Sequence, residues 1–349
     1  MNLSNFYKNK KVFVTGATGF KGSWLCFLLN KFGAKVVGTG LRENSQKLFY
    51  QLNLKNKIKI YHNDIRDYKS LNKIVNNFKP EIIFHLAAQP IVRESYEKPL
   101  NTFDINFMGT VNILDISFNL NFVKSLVCVT TDKVYFNKNW LWGYRENDAL
   151  GGDDPYSASK AAAEIAISSY KKSFNKPNLG VASARAGNVI GGGDMSRFRL
   201  IPDCIRSLIK NKKIIIRNPN SNRPWQHVLE PVHGYLILGQ KLFFNPRLYS
   251  QSYNFGPSTE SIMNVKEIVK SIIKIWGGGK FEIINDKIKE HKILQLNIDK
   301  TRKVLKWKPV LNLEETIRET VFWYKSVVYE KKDAVKITSE QISSFFNKI

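Results

Sequence analysis

The sequence predicts an α/β protein: a doubly wound parallel sheet with a smaller mixed α/β lobe. Three observations predict it. A buried-type strand, Lys11-Val-Phe-Val-Thr15, runs into the glycine turn Gly16-Ala-Thr-Gly19-Phe-Lys-Gly22 and then the apolar stretch Trp24–Leu29. Strand-like and helix-like segments alternate to about residue 185, as in parallel sheets with helical crossovers. Beyond that point loops dominate. The expected division is a Rossmann-type unit over 1–185, completed by segments near 228–260, and a lobe with C-terminal helices over 186–349.

The glycine turn is the setting that a dinucleotide pyrophosphate needs. Glycines admit the phosphates close to the backbone, and a helix N-terminus offers N–H donors and partial positive charge. Gly16, Thr18, Gly19, Phe20, Lys21 and Gly22 are the candidates. The second strand, Lys35–Gly40, should end in an acidic residue for the adenosine ribose, but Leu41-Arg42-Glu43 follows. Arg42 suits a 2′-phosphate and Glu43 a displaced ribose contact, so NAD and NADP both stay open. The strand over Lys57–Tyr61 leads to Asp64 and Ile65, placed for the adenine edge, and to Asp67, which could cap the next helix. Leu71, Ile74, Val75 and Phe78 give that helix one apolar face.

The fourth strand exits through Leu86-Ala87-Ala88-Gln89, small enough at the alanines for a cofactor to lie on the backbone. His85, inside a buried run, is read as a satisfied core histidine. Asn106 begins a helix over the sheet and joins the cofactor candidates. The apolar run Ser125–Val129 ends in Thr130-Thr131-Asp132-Lys133, at the carboxyl end where open α/β sheets place ligands. Tyr156 and Lys160 lie four residues apart in an Ala-rich helical segment and share a face. A phenol titrates near ~10, and an ammonium beside it favours the phenolate, a proton acceptor for a sugar hydroxyl. Taken alone, the pair is a weak signal that more often describes a surface tyrosine and a solvated lysine.

Arg185–Asp194 reads as a mobile turn, Ile201–Arg206 as a helix start, and Asn218–Glu230 as a polar loop. In that loop Arg223 has the planar fork that suits a diphosphate. Val265, Ile268, Val269, Ile272 and Trp276 mark a helix broken by Gly277-Gly-Gly279, and Leu313, Ile317, Val321 and Tyr324 mark another. A terminal helix is expected after about residue 330.

Composition narrows the class. Hydrophobic content of 43% in 349 residues suits a packed enzyme and excludes a disordered chain. No apolar run reaches the ~20 residues of a membrane span, and the start lacks a leader's apolar core, so a cytoplasmic protein is expected. Cys26, Cys128 and Cys204 are far apart and read as buried free thiols, without metal spacing. The net charge of +25 (54 basic minus 29 acidic) comes from scattered lysines, which argues against a nucleic-acid surface. A basic cleft would steer an anionic nucleotide diphosphate.

Glycine turn, Thr-Thr-Asp-Lys and Tyr-x-x-x-Lys, in this order, resemble the extended short-chain dehydrogenase/reductases that act on nucleotide sugars. Gly16–Leu25, Thr131–Tyr135, Arg185–Asp194, Arg223–Pro231, Tyr253–Pro257 and Trp307–Pro309 are similar to the CDP-glucose 4,6-dehydratase branch. The resemblance implies NAD-dependent loss of water from CDP-glucose, giving the 4-dehydro-6-deoxy sugar of surface-polysaccharide synthesis. It assigns Thr131, Tyr156 and Lys160 to C4 oxidation, Lys160 also to the nicotinamide ribose, and Thr130 to the cofactor. It places Asp132 as acid and Lys133 as base for the elimination, Lys133 standing where related dehydratases carry Glu. Asn188 and Arg223, with Arg199 and His227, are the implied substrate residues, and a homodimer the implied assembly. A 4-epimerase would use the same Tyr, Lys and NAD without an acid–base pair at 132–133. A non-enzymatic binding protein would rest on the charge alone.

Overall fold

The computed structural model describes residues 2–42, 47–258, 262–284 and 294–349; Glu43 lies outside the described residues. Its centre is a parallel sheet of seven strands. These are β1 (Lys11–Thr15), β2 (Lys35–Gly40), β3 (Lys59–His62), β4 (Ile82–His85), β5 (Ser125–Val129), β6 (Gly180–Ala186) and β7 (Ser252–Phe255), in the order β7-β6-β5-β4-β1-β2-β3. Chain direction across the sheet reverses between β1 and β4. That crevice, at the carboxyl ends of the strands, is where such sheets hold ligands.

Two-sided burial explains the unbroken apolar strands. Val12, Val14, Ile82, Phe84, Val127 and Val129 face one core, while Phe13, Ile83, Leu126 and Cys128 face the other. Helices Tyr68–Phe78, Gly109–Asn119 and Pro155–Ser173 cover the second core. Asp67 caps the first of these by accepting from the Ser70 amide at 3.1 Å. Helix Phe20–Lys31 covers the first core with Leu229–Phe244, whose chain then returns to the sheet as β7.

The remaining strands form small two-stranded sheets, several of whose residues line the crevice. Val189–Ile190 pairs with Gln226–His227, Asn222–Pro224 with Ile262–Asn264, and Ile214–Ile216 with Phe281–Ile283. The stretch 218–230, expected as a polar loop, therefore holds two short strands. The turn expected to be mobile over 185–194 is also held. Gly192 O accepts from Trp24 Nε1 at 3.0 Å, and Asp194 O from the Tyr324 hydroxyl at 2.6 Å. Helices Val265–Trp276 and Leu313–Tyr324 match the expected apolar faces; Gly277, at φ +96°, ends the first, and an Asn312–Glu315 capping box starts the second. The terminal helix is Ala334–Phe346, tied to Trp323 through Thr338 Oγ1. Among the described residues, no helix is long and apolar enough to cross a membrane.

Candidate active site

The glycine turn is shaped by close approach. Gly16 sits at φ +69°, and a Cβ there would stand 2.7 Å from the Ala87 nitrogen; one on Gly22 would stand 2.0 Å from Gly16 O. Gly19 caps helix Phe20–Lys31 without a side chain, leaving its first turn facing the crevice. This cradle fits a pyrophosphate. Thr18 is buried, its hydroxyl donating to Leu41 O at 3.2 Å, and it supports the turn. The exit of β4 is fixed by Thr15 Oγ1, which accepts from the amides of Leu86 and Ala87 at 3.1 and 3.2 Å. His85 bridges Thr15 and Thr110 at 2.8 and 3.0 Å and is a satisfied core residue. Burial holds its imidazole neutral, with a pKa pushed down to about 3.

Three cofactor candidates have structural partners. The Asn106 amide accepts from the Gln89 amide at 2.8 Å and donates to Gln89 O and Ser159 Oγ, so it staples the β4 exit to the Tyr156 helix. The Gln89 side chain donates to Thr102 Oγ1 at 3.0 Å. Asp64 is paired with Arg66 at 2.7 Å, and that hydrogen bond holds its carboxyl below the usual range despite partial burial. Ile65 is buried beneath Gly109, where a Cβ would meet it at 2.3 Å. Ala88 lies on the open exit of β4, between Ala87 and Gln89.

A cavity of about 320 Å³ opens beside this cradle. Its walls include Lys21, Thr130, Thr131, Asp132, Lys133, Tyr156, Asn188, Arg199 and Arg223. Tyr156 lies in the first turn of helix Pro155–Ser173, started by Pro155 and by Asp154, which accepts from Ser157 N at 3.0 Å. Burial pushes its phenol up to about 12, against the Thr131 hydrogen bond. Thr131 Oγ1 donates to Asp132 Oδ1 at 3.0 Å. Asp132 is buried, which raises its pKa; Lys133, Thr131, Arg223 and Lys21 oppose that rise. Gly187 makes room for it, since a Cβ there would stand 2.7 Å from Asp132 Oδ2.

Lys160 follows Tyr156 on the same helix. The helix places it on the Tyr156 face, but its ammonium turns back to donate to Val129 O at 3.3 Å. Burial lowers its pKa to about 8, with Cys128 and Glu164 opposing. A buried ammonium needs acceptors, and the end of β5 supplies one. His227, an expected substrate residue, lies deeper in the structure. It is fully buried outside the cavity lining, accepting from the Leu229 amide at 3.3 Å and edge-on to Trp24.

Several features were not read from the sequence. Arg199 is paired with Asp194 at 2.7 Å; burial raises the Asp194 carboxyl, but Arg199 and Ser196 outweigh it and hold it low. Lys21, a cofactor candidate, also lines the cavity. Burial, Arg199 and Lys160 lower its pKa to about 7. Glu164, one turn beyond Lys160, binds Thr130, Ser183 and Arg185 beneath the site. A polar residue four positions from Lys160 on a covered face was the available signal for it.

A dinucleotide cradle at the reversal of the sheet, with Tyr156 and Lys160 on one helix beside it, defines a short-chain dehydrogenase/reductase of the extended kind. The chain belongs to the GDP-mannose 4,6 dehydratase family, whose model matches residues 13–320. It is 42% identical to the CDP-glucose 4,6-dehydratase of Salmonella typhimurium, over 98% of each chain. It is 29% identical to a putative UDP-glucose 4-epimerase of Methanocaldococcus jannaschii, over 90% of this chain and 98% of that one. Among solved structures, dTDP-glucose 4,6-dehydratase from Bacillus anthracis in complex with NAD superposes with a TM-score of 0.77. It is 23% identical, over 91% of this chain and 97% of that one, and shows the shared fold.

Proposed function

We propose that the chain is an NAD-dependent CDP-glucose 4,6-dehydratase, giving CDP-4-dehydro-6-deoxyglucose for deoxysugar synthesis. The observation that carries this reading is Asp132, buried with a raised pKa, adjoining Lys133 in the cavity that holds Tyr156. A 4-epimerase has no use for such a pair. Tyr156 takes the proton of the C4 hydroxyl, which Thr131 holds by a hydrogen bond. The bound nicotinamide supplies a hydride acceptor at C4 and a hydride donor at C6. The 4-ketone acidifies the C5 hydrogen, Lys133 removes it, and Asp132 protonates the departing C6 hydroxyl. Asn188, Arg199 and Arg223 line the same cavity and would hold the diphosphate, to which Arg223 brings a planar fork. Gly16, Gly19, Gly22 and the first-turn amides of Phe20 and Lys21 would hold the pyrophosphate. Residues 1–185 with 228–260 serve the cofactor, and the rest of the chain the nucleotide sugar.

The proposal includes a cytoplasmic homodimer. Leu100, Tyr96 and Ile165 are 86%, 52% and 61% exposed on helices beside and within the Tyr156 helix, a face suited to a second copy. Incubation with CDP-, dTDP-, UDP- and GDP-glucose tests the activity. The mass of the CDP product should fall by one water; an isomer of unchanged mass would support the epimerase reading instead.

A further inference from the structure

A nucleotide-sugar enzyme with a dinucleotide cofactor must hold two diphosphates as neighbours, and the inference rests on that reading. The cofactor's pyrophosphate belongs in the glycine cradle, and the substrate's diphosphate in the cavity that opens beside it. Both are anions, and like charges brought close in a poorly hydrated site repel one another.

Lys21 belongs to both places. It lies in the first turn of helix Phe20–Lys31, at the cradle, and it also lines the cavity with Asn188, Arg199 and Arg223. The charges felt by its ammonium include Arg199, Asp132 and Asp194, all of which line that cavity. The turn that carries Lys21 is fixed. A Cβ on Gly22 would stand 2.0 Å from Gly16 O, and the Ser23 amide and hydroxyl donate to Gly19 O at 2.8 and 2.7 Å.

The acids of the cavity wall are otherwise engaged. Asp194 pairs with Arg199 at 2.7 Å, Asp203 pairs with Arg206, and Asp132 accepts from Thr131 at 3.0 Å. Among the described residues, the half-buried Lys21 side chain makes no hydrogen bond or ion pair. A cation withdrawn from water needs an opposite charge, and here a ligand must bring it. Burial, Arg199 and Lys160 hold the Lys21 pKa down to about 7, so an anion alongside restores its full charge.

We propose that Lys21 is a shared counter-ion, whose ammonium stands between the cofactor's pyrophosphate and the substrate's diphosphate and lets both bind at once. Arg199, held by Asp194, has less charge to spare for that task.

A double titration tests this. NAD affinity is measured by equilibrium dialysis without CDP and with saturating CDP, and CDP affinity in the reciprocal way. In the unaltered chain each ligand should change the affinity of the other less than ~3-fold. Lys21→Met and Lys21→Gln remove the charge and keep most of the stem. In both, CDP and NAD should weaken each other at least ~10-fold, by the same factor in either direction. Lys21→Arg should restore the unaltered behaviour. Cytidine, which lacks the diphosphate, should leave NAD affinity unchanged in every variant. Coupling in Lys21→Met and Lys21→Gln equal to that of the unaltered chain would overturn the proposal. So would antagonism of ~10-fold already present in the unaltered chain. Failure of every nucleotide-glucose to lose water would overturn the dehydratase reading instead, whereas the coupling of CDP to NAD is read from binding alone.

Discussion

Glu164 supports the site from below, and its removal has a calculable cost. Its carboxylate is 3% exposed, pairs with Arg185 at 2.8 Å, and accepts from Thr130 at 2.5 Å and from Ser183 at 2.8 Å. Burial raises its pKa, but Arg185 and the two hydroxyls outweigh that, so it stays ionised. Glu164→Gln keeps the volume and leaves the Arg185 charge buried without its counter-charge. Breaking a buried pair in this way costs about 3–5 kcal/mol. Unfolding entropy near ~2.1 cal/mol/K per residue makes each kcal/mol worth ~1.4 °C in a chain of this length, so Tm should fall ~4–7 °C. Scanning calorimetry at pH 7 measures this. A carboxyl held below its ordinary value stabilises the fold above the unfolded pKa of ~4.3, and loses that effect as pH falls through its folded value. The Tm gap between the unaltered chain and Glu164→Gln should thus narrow below pH ~4. Glu164→Leu with Arg185→Met should recover most of the loss. A loss under ~1 kcal/mol in Glu164→Gln would refute the argument.

Three further outcomes follow from the site. Lys133→Ala should still oxidise C4 but fail to exchange the C5 hydrogen in deuterated water; normal exchange, read by mass spectrometry, would remove Lys133 as the base. Gly16→Ala forces a side chain into φ +69° and against Ala87, so NAD affinity by fluorescence titration should drop at least ~10-fold; unchanged affinity would contradict the cradle. The Lys21 pKa, about 7, lies below its unfolded value of ~10.4. The unfolded chain therefore binds the extra proton between pH ~7 and ~10.4, and folded stability gains from this group as pH rises through that window. Lys21→Met should remove that part of the slope of Tm against pH, and identical slopes would refute the assignment.

The scaffold was legible in the sequence because its signals are local. Apolar strands buried on both faces, the glycine turn, and the helical spacing at Val265–Trp276 and Leu313–Tyr324 each declare themselves within a dozen residues. What stayed hidden depends on partners distant in the chain. Lys160 shares a helix face with Tyr156, but the direction of its ammonium is set by a carbonyl on β5. His227 sits in a polar-looking stretch, and its burial against Trp24 comes from pairing with Val189–Ile190. The short strand at Asn222–Pro224 forms only because residues 262–264 pair with it across some forty positions.

The central claim is that C4 oxidation, loss of water across C5 and C6, and reduction at C6 occur in one cavity around Tyr156, Asp132 and Lys133. CDP-glucose carrying deuterium at C4 tests it most directly. The account predicts a product lighter by one water, with the deuterium in the C6 methyl group. Deuterium kept at C4 in a product of unchanged mass would contradict it.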